Sequence, residues 1–152
     1  MKVALADLSD SQVIALITYH QQQMIAGSPP GHSFALDLSG LRAEGVTVWA
    51  VHREGVVAAI GALHRFDKNL GEIKSMRTHP EHLRQGCAAA LLDTIIAHAR
   101  ATGLTRLSLE TGSGDAFEPA LALYRSRGFE NGPAFADYTL SPFNQCLHLS
   151  ID

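Results

Sequence analysis

Cysteine is scarce in this sequence. Cys87 and Cys146 are the only two, far apart and outside any CxxC arrangement, which excludes a disulfide framework and a thiolate zinc site. A reducing compartment, the cytoplasm, fits that usage. Surplus charge is also missing: 12 Lys and Arg against 15 Asp and Glu leave a formal net charge of -3. Without a cationic field, binding to nucleic acid through phosphate neutralisation has no support. No apolar run approaches the ~18 residues of a membrane span. Asp7 and Asp10 interrupt the amino terminus before a signal-peptide core could form. Neither nucleic acid nor membrane is therefore expected as a partner. Repeats, low-complexity tracts and composition breaks are absent too, so residues 1–152 read as a single domain. HExxH, GxxxxGK[ST] and GxGxxG do not occur, which argues against a zincin-type metal site, a P-loop and a Rossmann turn. No metal is expected.

Hydrophobic residues, at 46%, are sufficient to build one core. Val3 to Leu5 reads as a strand. Asp7, Ser9 and Asp10 then offer caps for a helix carrying Val13, Ile14, Ile17 and Met24. The GSPPGHS stretch from Gly27 to Ser33 is too irregular for a helix and reads as an ordered surface loop, followed by a short helix over Leu36 to Arg42. Three strand-like runs begin at Val46, Val56 and Glu72, separated by turn chemistry, and predict an antiparallel meander. Ala88, Leu91, Leu92, Ile95, Ile96 and Ala99 keep helical spacing until Gly103 stops it. RLSLE from Arg106 is then a strand reached through a helix, which implies a parallel crossover. A helix over Ala116 to Ser126 and two strands, FADYTL (Phe135 to Leu140) and QCLHLSI (Gln145 to Ile151), complete the chain. The fold class is α+β: a mixed, mainly antiparallel sheet with helices on both faces.

The stretch THPEHLRQGCAAALL is where chemistry is most legible. A strand ends at Thr78 and a helix opens near Gly86. Backbone N–H groups at a helix N-terminus lack intrahelical partners and sit at the positive end of the macrodipole, so they suit an anion such as pyrophosphate. Gly86 and Ala88 keep that surface bare.

This turn resembles that of the GNAT superfamily, Q/R-x-x-G-x-G/A, with Gly86 and Ala88 on the motif and Leu83 where the family usually has Arg or Gln. Arg84 and Gln85 flank the departure. The order and spacing of SPPGHSFALDLSGLR, GEIKSMRTHP and LSLETGSGDAFEPALALYRSRGFENG extend the similarity to small bacterial acetyltransferases of that superfamily over nearly the whole chain. The resemblance implies acetyl-CoA as acyl donor and transfer of its acetyl group to a primary amine of a small molecule or peptide. It also implies splayed central strands. The pyrophosphate would rest on the backbone of Gln85, Gly86, Cys87, Ala88 and Ala89 beside Arg84, and the pantetheine arm would pair with the strand at Met76, Arg77 and Thr78. A homodimer is compatible with it.

By the same resemblance, Tyr124 is the general acid that protonates the departing thiolate; its place in a stripe with Phe117, Ala120 and Leu121 is the feature a core tyrosine would share. Glu72 is the expected general base, since an ammonium must lose a proton before it attacks. Glu110 and Thr111 end the next strand before a glycine-rich loop; they could bind the amine, or Glu110 could replace Glu72 as base. His32, Phe34 and Asp37 would line the acceptor side. Cys87, near a helix N-terminus, reads as a buried thiol rather than a nucleophile. Two further readings stay open: a CoA-binding module without efficient catalysis, and a structural or partner-binding protein.

Overall fold

The structure is a computed structural model that describes residues 1–33 and 35–152. Phe34 lies outside the described residues. Seven strands form one sheet in the order β1-β2-β3-β4-β5-β7-β6. They are β1 (Lys2–Leu5), β2 (Val46–Arg53), β3 (Val56–Arg65), β4 (Leu70–Thr78), β5 (Arg106–Gly112), β6 (Glu130–Gly132) and β7 (Asn144–Ser150). Helices α1 (Ser11–Ala26), α2 (Leu38–Leu41), α3 (Cys87–Ala101) and α4 (Glu118–Ser126) cover it. All strand pairs are antiparallel except β4 with β5, the pair that α3 connects. This is the expected mixed α+β architecture.

Strand alternation sends side chains into two cores. Val48 and Ala50 of β2 face Val13, Leu16 and Ile17 of α1 and Leu41 of α2. Their neighbours Trp49 and Val51 face the opposite side, with Leu91, Leu92 and Ile95 of α3 and Leu121 of α4. Where β3 meets β2 the register shifts beyond Val51, so that Ala58 and Ala59 both join the α3 side while Val57 and Ile60 remain on the α1 side. Among the described residues, no helix is long and apolar enough to cross a membrane.

Local chemistry sets the helix ends. The Asp10 carboxylate accepts the Gln12 N–H at 2.8 Å and starts α1. Asp37 does the same for α2 through the Gly40 N–H at 2.8 Å, which shortens that helix relative to the Leu36 start read from the sequence. Asp37, expected at the acceptor side, is thus also a helix cap. Residues 115–117 form a 3-10 turn, so α4 begins at Glu118 rather than Ala116.

The largest correction is at FADYTL. Residues 135–140 are not a strand; the pairing with β7 is made earlier, by Glu130–Gly132. Pro133 ends that pairing because it has no N–H to donate. Beyond it Ala136 takes φ 50, and Tyr138 N–H returns to the Phe135 carbonyl at 3.0 Å, closing a turn. The Pro133 carbonyl can only accept, so His148 Nε2 donates to it at 2.8 Å, and His148 Nδ1 then accepts the Ser108 hydroxyl at 2.7 Å. The Phe135 ring meets those of Phe66, Tyr138 and His148 at centroid distances of 5.0 to 5.7 Å. Apolar rings thus draw this segment down onto the sheet, where strand alternation alone would have left half of it outside.

Candidate active site

β4 and β5 run side by side only from Leu70 with Arg106 to Glu72 with Ser108. Beyond that point their pairing stops. The cause lies in β4, where Ser75 and Met76 together oppose Gly61 of β3, a bulge with Ser75 at φ 57. A bulge bends its strand and increases the local twist, which turns β4 away from β5. Gly61 is what permits it: a Cβ there would meet Met76 Sδ at 2.5 Å and the Leu91 side chain at 2.9 Å. The two facing strand edges are left with unpaired main chain, and a cleft of about 410 Å³ opens between them.

Glu72, Met76, Arg77, Glu110, Thr111 and Tyr124 all line this cleft. The sequence expectation brought these together from three separate elements. Glu72 is buried at 5% exposure, and its Oε2 accepts the Tyr138 hydroxyl at 2.5 Å and Lys74 Nζ at 3.2 Å. Lys74 Nζ also donates to the Tyr138 oxygen at 2.7 Å. Glu110, across the cleft, is half-buried and among the described residues takes one hydrogen bond, from Asn144 Nδ2 at 3.2 Å; that amide also bonds the Thr139 carbonyl at 3.0 Å. Burial raises the Glu110 pKa above the usual carboxylate range, with the Glu72 charge acting in the same direction and the Asn144 bond and Lys74 opposing it.

Tyr124 projects from α4 with 6% exposure, its ring 5.7 Å from that of Phe129. Among the described residues no group hydrogen-bonds its hydroxyl, and burial raises its pKa, so the phenol stays protonated. Arg77 turns toward α1, where its Nε donates to His20 Nδ1 at 3.0 Å and its guanidinium lies 5.8 Å from the centre of the Tyr19 ring. Burial and the Arg77 charge hold the His20 pKa down to about 3, so the ring is a neutral acceptor. His32 packs its ring edge on Phe143 at 5.9 Å, near enough to Glu110 to affect its charge.

The turn expected to take an anion lies beyond the β4 end of this cleft. After Thr78 and a 3-10 turn over Pro80–His82, Arg84 and Gly86 adopt positive φ of 60 and 83, and Gly86 becomes the N-cap of α3. The first helical N–H with an intrahelical acceptor belongs to Ala90, bonded to the Gly86 carbonyl at 3.0 Å. Those of Cys87, Ala88 and Ala89 precede it and have none. A Cβ on Gly86 would meet nothing within 4 Å, so the turn is open to a ligand. Cys87 itself points inward, at 2% exposure. Leu83 is exposed.

Lys74, Tyr138, His20 and Asn144 were not singled out in the sequence. Lys74 was within reach, two residues from Glu72 and therefore on the same strand face. Tyr138 was not, because its place depends on a loop held by contacts distant in sequence.

Comparison with known proteins agrees with this geometry. The family model described as "Acetyltransferase (GNAT) family" matches residues 9–129. The chain is 44% identical over 142 residues to YsnE of Bacillus subtilis (strain 168), an uncharacterized N-acetyltransferase by name, with 93% of this chain and 94% of that protein covered. An acyl-CoA N-acyltransferase structure, so named, from Klebsiella pneumoniae superposes with a TM-score of 0.83 at 27% identity, covering 99% of this chain and 97% of the other. At 19% identity, a Salmonella typhimurium structure named as an acetyltransferase with its cofactor acetyl-CoA shares the fold, with a TM-score of 0.73 and coverage of 99% and 94%.

Proposed function

The chain belongs to the GNAT acetyltransferase family, and on that premise we propose that it passes the acetyl group of acetyl-CoA directly to a primary amine of a small molecule or peptide while both are bound. The observation that carries this reading is the opening of the sheet beyond Glu72 and Ser108, with an unpaired helix N-terminus at its far end. One end suits a diphosphate and the other a thioester and an amine.

The residues present fit acetyl-CoA. Free N–H groups of Cys87, Ala88 and Ala89, with the open turn at Gln85 and Gly86, would hold its pyrophosphate, and the Arg84 side chain adds a positive charge beside them. The unpaired main chain of β4 at Met76, Arg77 and Thr78 would take the pantetheine arm as an added strand. When bound, acetyl-CoA supplies a thioester carbonyl open to an amine nucleophile and a thiolate leaving group. The Tyr124 hydroxyl, protonated and without a protein partner among the described residues, is suited to give its proton to the leaving sulfur.

The general-base assignment moves from Glu72 to Glu110 in this reading. Glu72 Oε2 is already engaged by Tyr138 and Lys74, whereas the Glu110 carboxyl has a raised pKa and one neutral donor. A carboxylate whose pKa lies nearer neutrality is the better proton acceptor at working pH. Glu110 would take the ammonium proton at its carboxylate, directly or through water. Glu72 would hold Tyr138 and Lys74 against the cleft.

A CoA-release assay against a panel of amines tests the proposal. Acceptor-dependent release, with the acetylated amine found by mass spectrometry, is expected. Tight acetyl-CoA binding without turnover of any amine would instead favour a CoA-binding module.

A further inference from the structure

The charges that line the cleft are not all paired. Lys74 and Glu72 neutralise one another at 3.2 Å, which leaves the Glu110 carboxyl on β5 and the Arg77 guanidinium on β4. Among the described residues the ion pairs are Lys74 with Glu72 and Arg127 with Asp93, so Arg77 has no carboxylate. Its one side-chain hydrogen bond uses Nε and goes to a neutral imidazole, and the N–H groups of Nη1 and Nη2 have no protein partner among those residues. A half-buried guanidinium without a counter-ion is costly, and its five donors form a fork that matches a carboxylate.

A second observation stands beside it. The Ser75 hydroxyl, in a residue 9% exposed and lining the same cleft, is buried with no hydrogen-bond partner among the described residues. Buried hydroxyls are normally satisfied, so this unmet group in a residue of the cleft wall is one that a bound ligand would complete after a turn of the Ser75 side chain about χ1. Ser75 and Arg77 lie two residues apart on the bulged part of β4. The pyrophosphate has its own site at the start of α3, while the Arg77 side chain packs against Tyr19 and His20 of α1.

We propose that the acceptor carries a carboxylate close to the amine that is acetylated, with the carboxylate held by Arg77 and Ser75 and the ammonium facing Glu110. This rests on the amine acetyltransferase reading and narrows its substrate class to amino-acid-type zwitterions. Polyamines and aminosugars, which have no anionic group, would leave Arg77 unpaired.

The test uses the full chain and matched ligands: common amino acids, their carboxamides, and the corresponding decarboxylated amines. Acetylation rates and equilibrium dialysis onto the CoA-loaded protein are both measured. In the wild type the carboxylated form of the accepted amine should exceed its carboxamide by about ten- to a hundredfold in kcat/KM and in affinity, the range for a charge-assisted hydrogen-bonded pair. In Arg77→Gln that ratio should fall to about one, mainly through KM, and Arg77→Lys should restore part of it. The ligand-side comparison needs no variant, so a misfolded mutant leaves the proposal open to refutation. Equal use of carboxylate and carboxamide by the wild type, a ratio that survives in Arg77→Gln, or neither binding nor turnover of any carboxylated ligand would each overturn it. Carboxylate-selective binding without acetylation of any amine would support the Arg77 site and count against the catalytic reading alone.

Discussion

The Tyr138 hydroxyl donates to Glu72 Oε2 at 2.5 Å across 66 residues of sequence, and so ties the segment after β6 to the last residue of β4 that pairs with β5 before the sheet opens. Lys74 donates to both oxygens and completes a closed triangle of polar groups against the cleft wall. Burial, together with the charge of Glu72, raises the Tyr138 pKa, so this phenol remains a donor throughout the working range.

Tyr138→Phe removes that donor while keeping the ring that packs on Phe135. Losing a hydrogen bond to a buried carboxylate typically costs about 2 kcal/mol. A comparable loss is expected in urea denaturation, with lower kcat/KM for the acceptor and nearly unchanged affinity for acetyl-CoA. A stability equal to wild type would show that the bond contributes nothing to holding the loop.

Glu110→Gln should separate stability from activity. The folded-state pKa of Glu110 lies above that of the unfolded chain, so its favourable contribution is full below the ordinary carboxylate range and is lost as pH rises through the raised value. At neutral pH the variant should therefore be more stable than wild type, and the difference should shrink in acid. Activity should change in the opposite sense, with the deficit largest where the carboxylate is ionised and the amine still protonated, and narrowing as pH nears the acceptor's own pKa. Complete pH–rate profiles for Glu72→Gln and Glu110→Gln, taken with one acceptor, decide between the carboxylates. If only Glu72→Gln shows the pH-dependent loss, the base is Glu72.

Tyr124→Phe keeps the ring against Phe129 and deletes a hydroxyl that has no protein partner among the described residues. Thermal stability should be close to wild type and acetyl-CoA affinity retained. Turnover should fall by about 10²- to 10⁴-fold, the usual contribution of general acid catalysis. An unchanged rate with chemistry shown to be limiting would assign this tyrosine to packing alone.

Gly86→Asp and Gly86→Asn test the pyrophosphate site as a pair. Both place a side chain at φ 83, where Gly is favoured and Asn and Asp are tolerated best, so both incur a similar backbone cost of about 1 kcal/mol. Only Asp adds a negative charge beside the bound anion. Calorimetry should show acetyl-CoA binding weakened well beyond tenfold by Asp, and much less by Asn. Equal affinities in the two folded variants would place the phosphate elsewhere.

The paired strands and longer helices were legible because each is set by residues near one another in sequence. Val48 and Ala50 alternating with Trp49 and Val51 announce a strand, the 88–99 spacing announces α3, and Gly86 ahead of that helix announces a bare helix N-terminus suited to an anion, since a backbone terminus acts through its own N–H groups whatever lies elsewhere. Glu72, Glu110 and Tyr124 could be named as candidates for the same reason. Their environments could not, because desolvation is a property of what packs around a group. The pKa of Glu110 is raised by burial in a cleft that exists only because β4 bulges at Ser75 and Met76, and Glu72 is engaged by a tyrosine whose segment reads locally as a strand. That segment follows Pro133, where β6 pairing ends, and it is held to the sheet by Phe66, His148 and Asn144. Local pattern thus determined most of the elements and the open helix N-terminus at Gly86. Long-range packing decided which carboxylate is engaged by Tyr138 and Lys74 and which has its pKa raised by burial, and left Arg77 lining the cleft with no carboxylate partner among the described residues, because burial and pairing are settled only when distant parts of the chain meet.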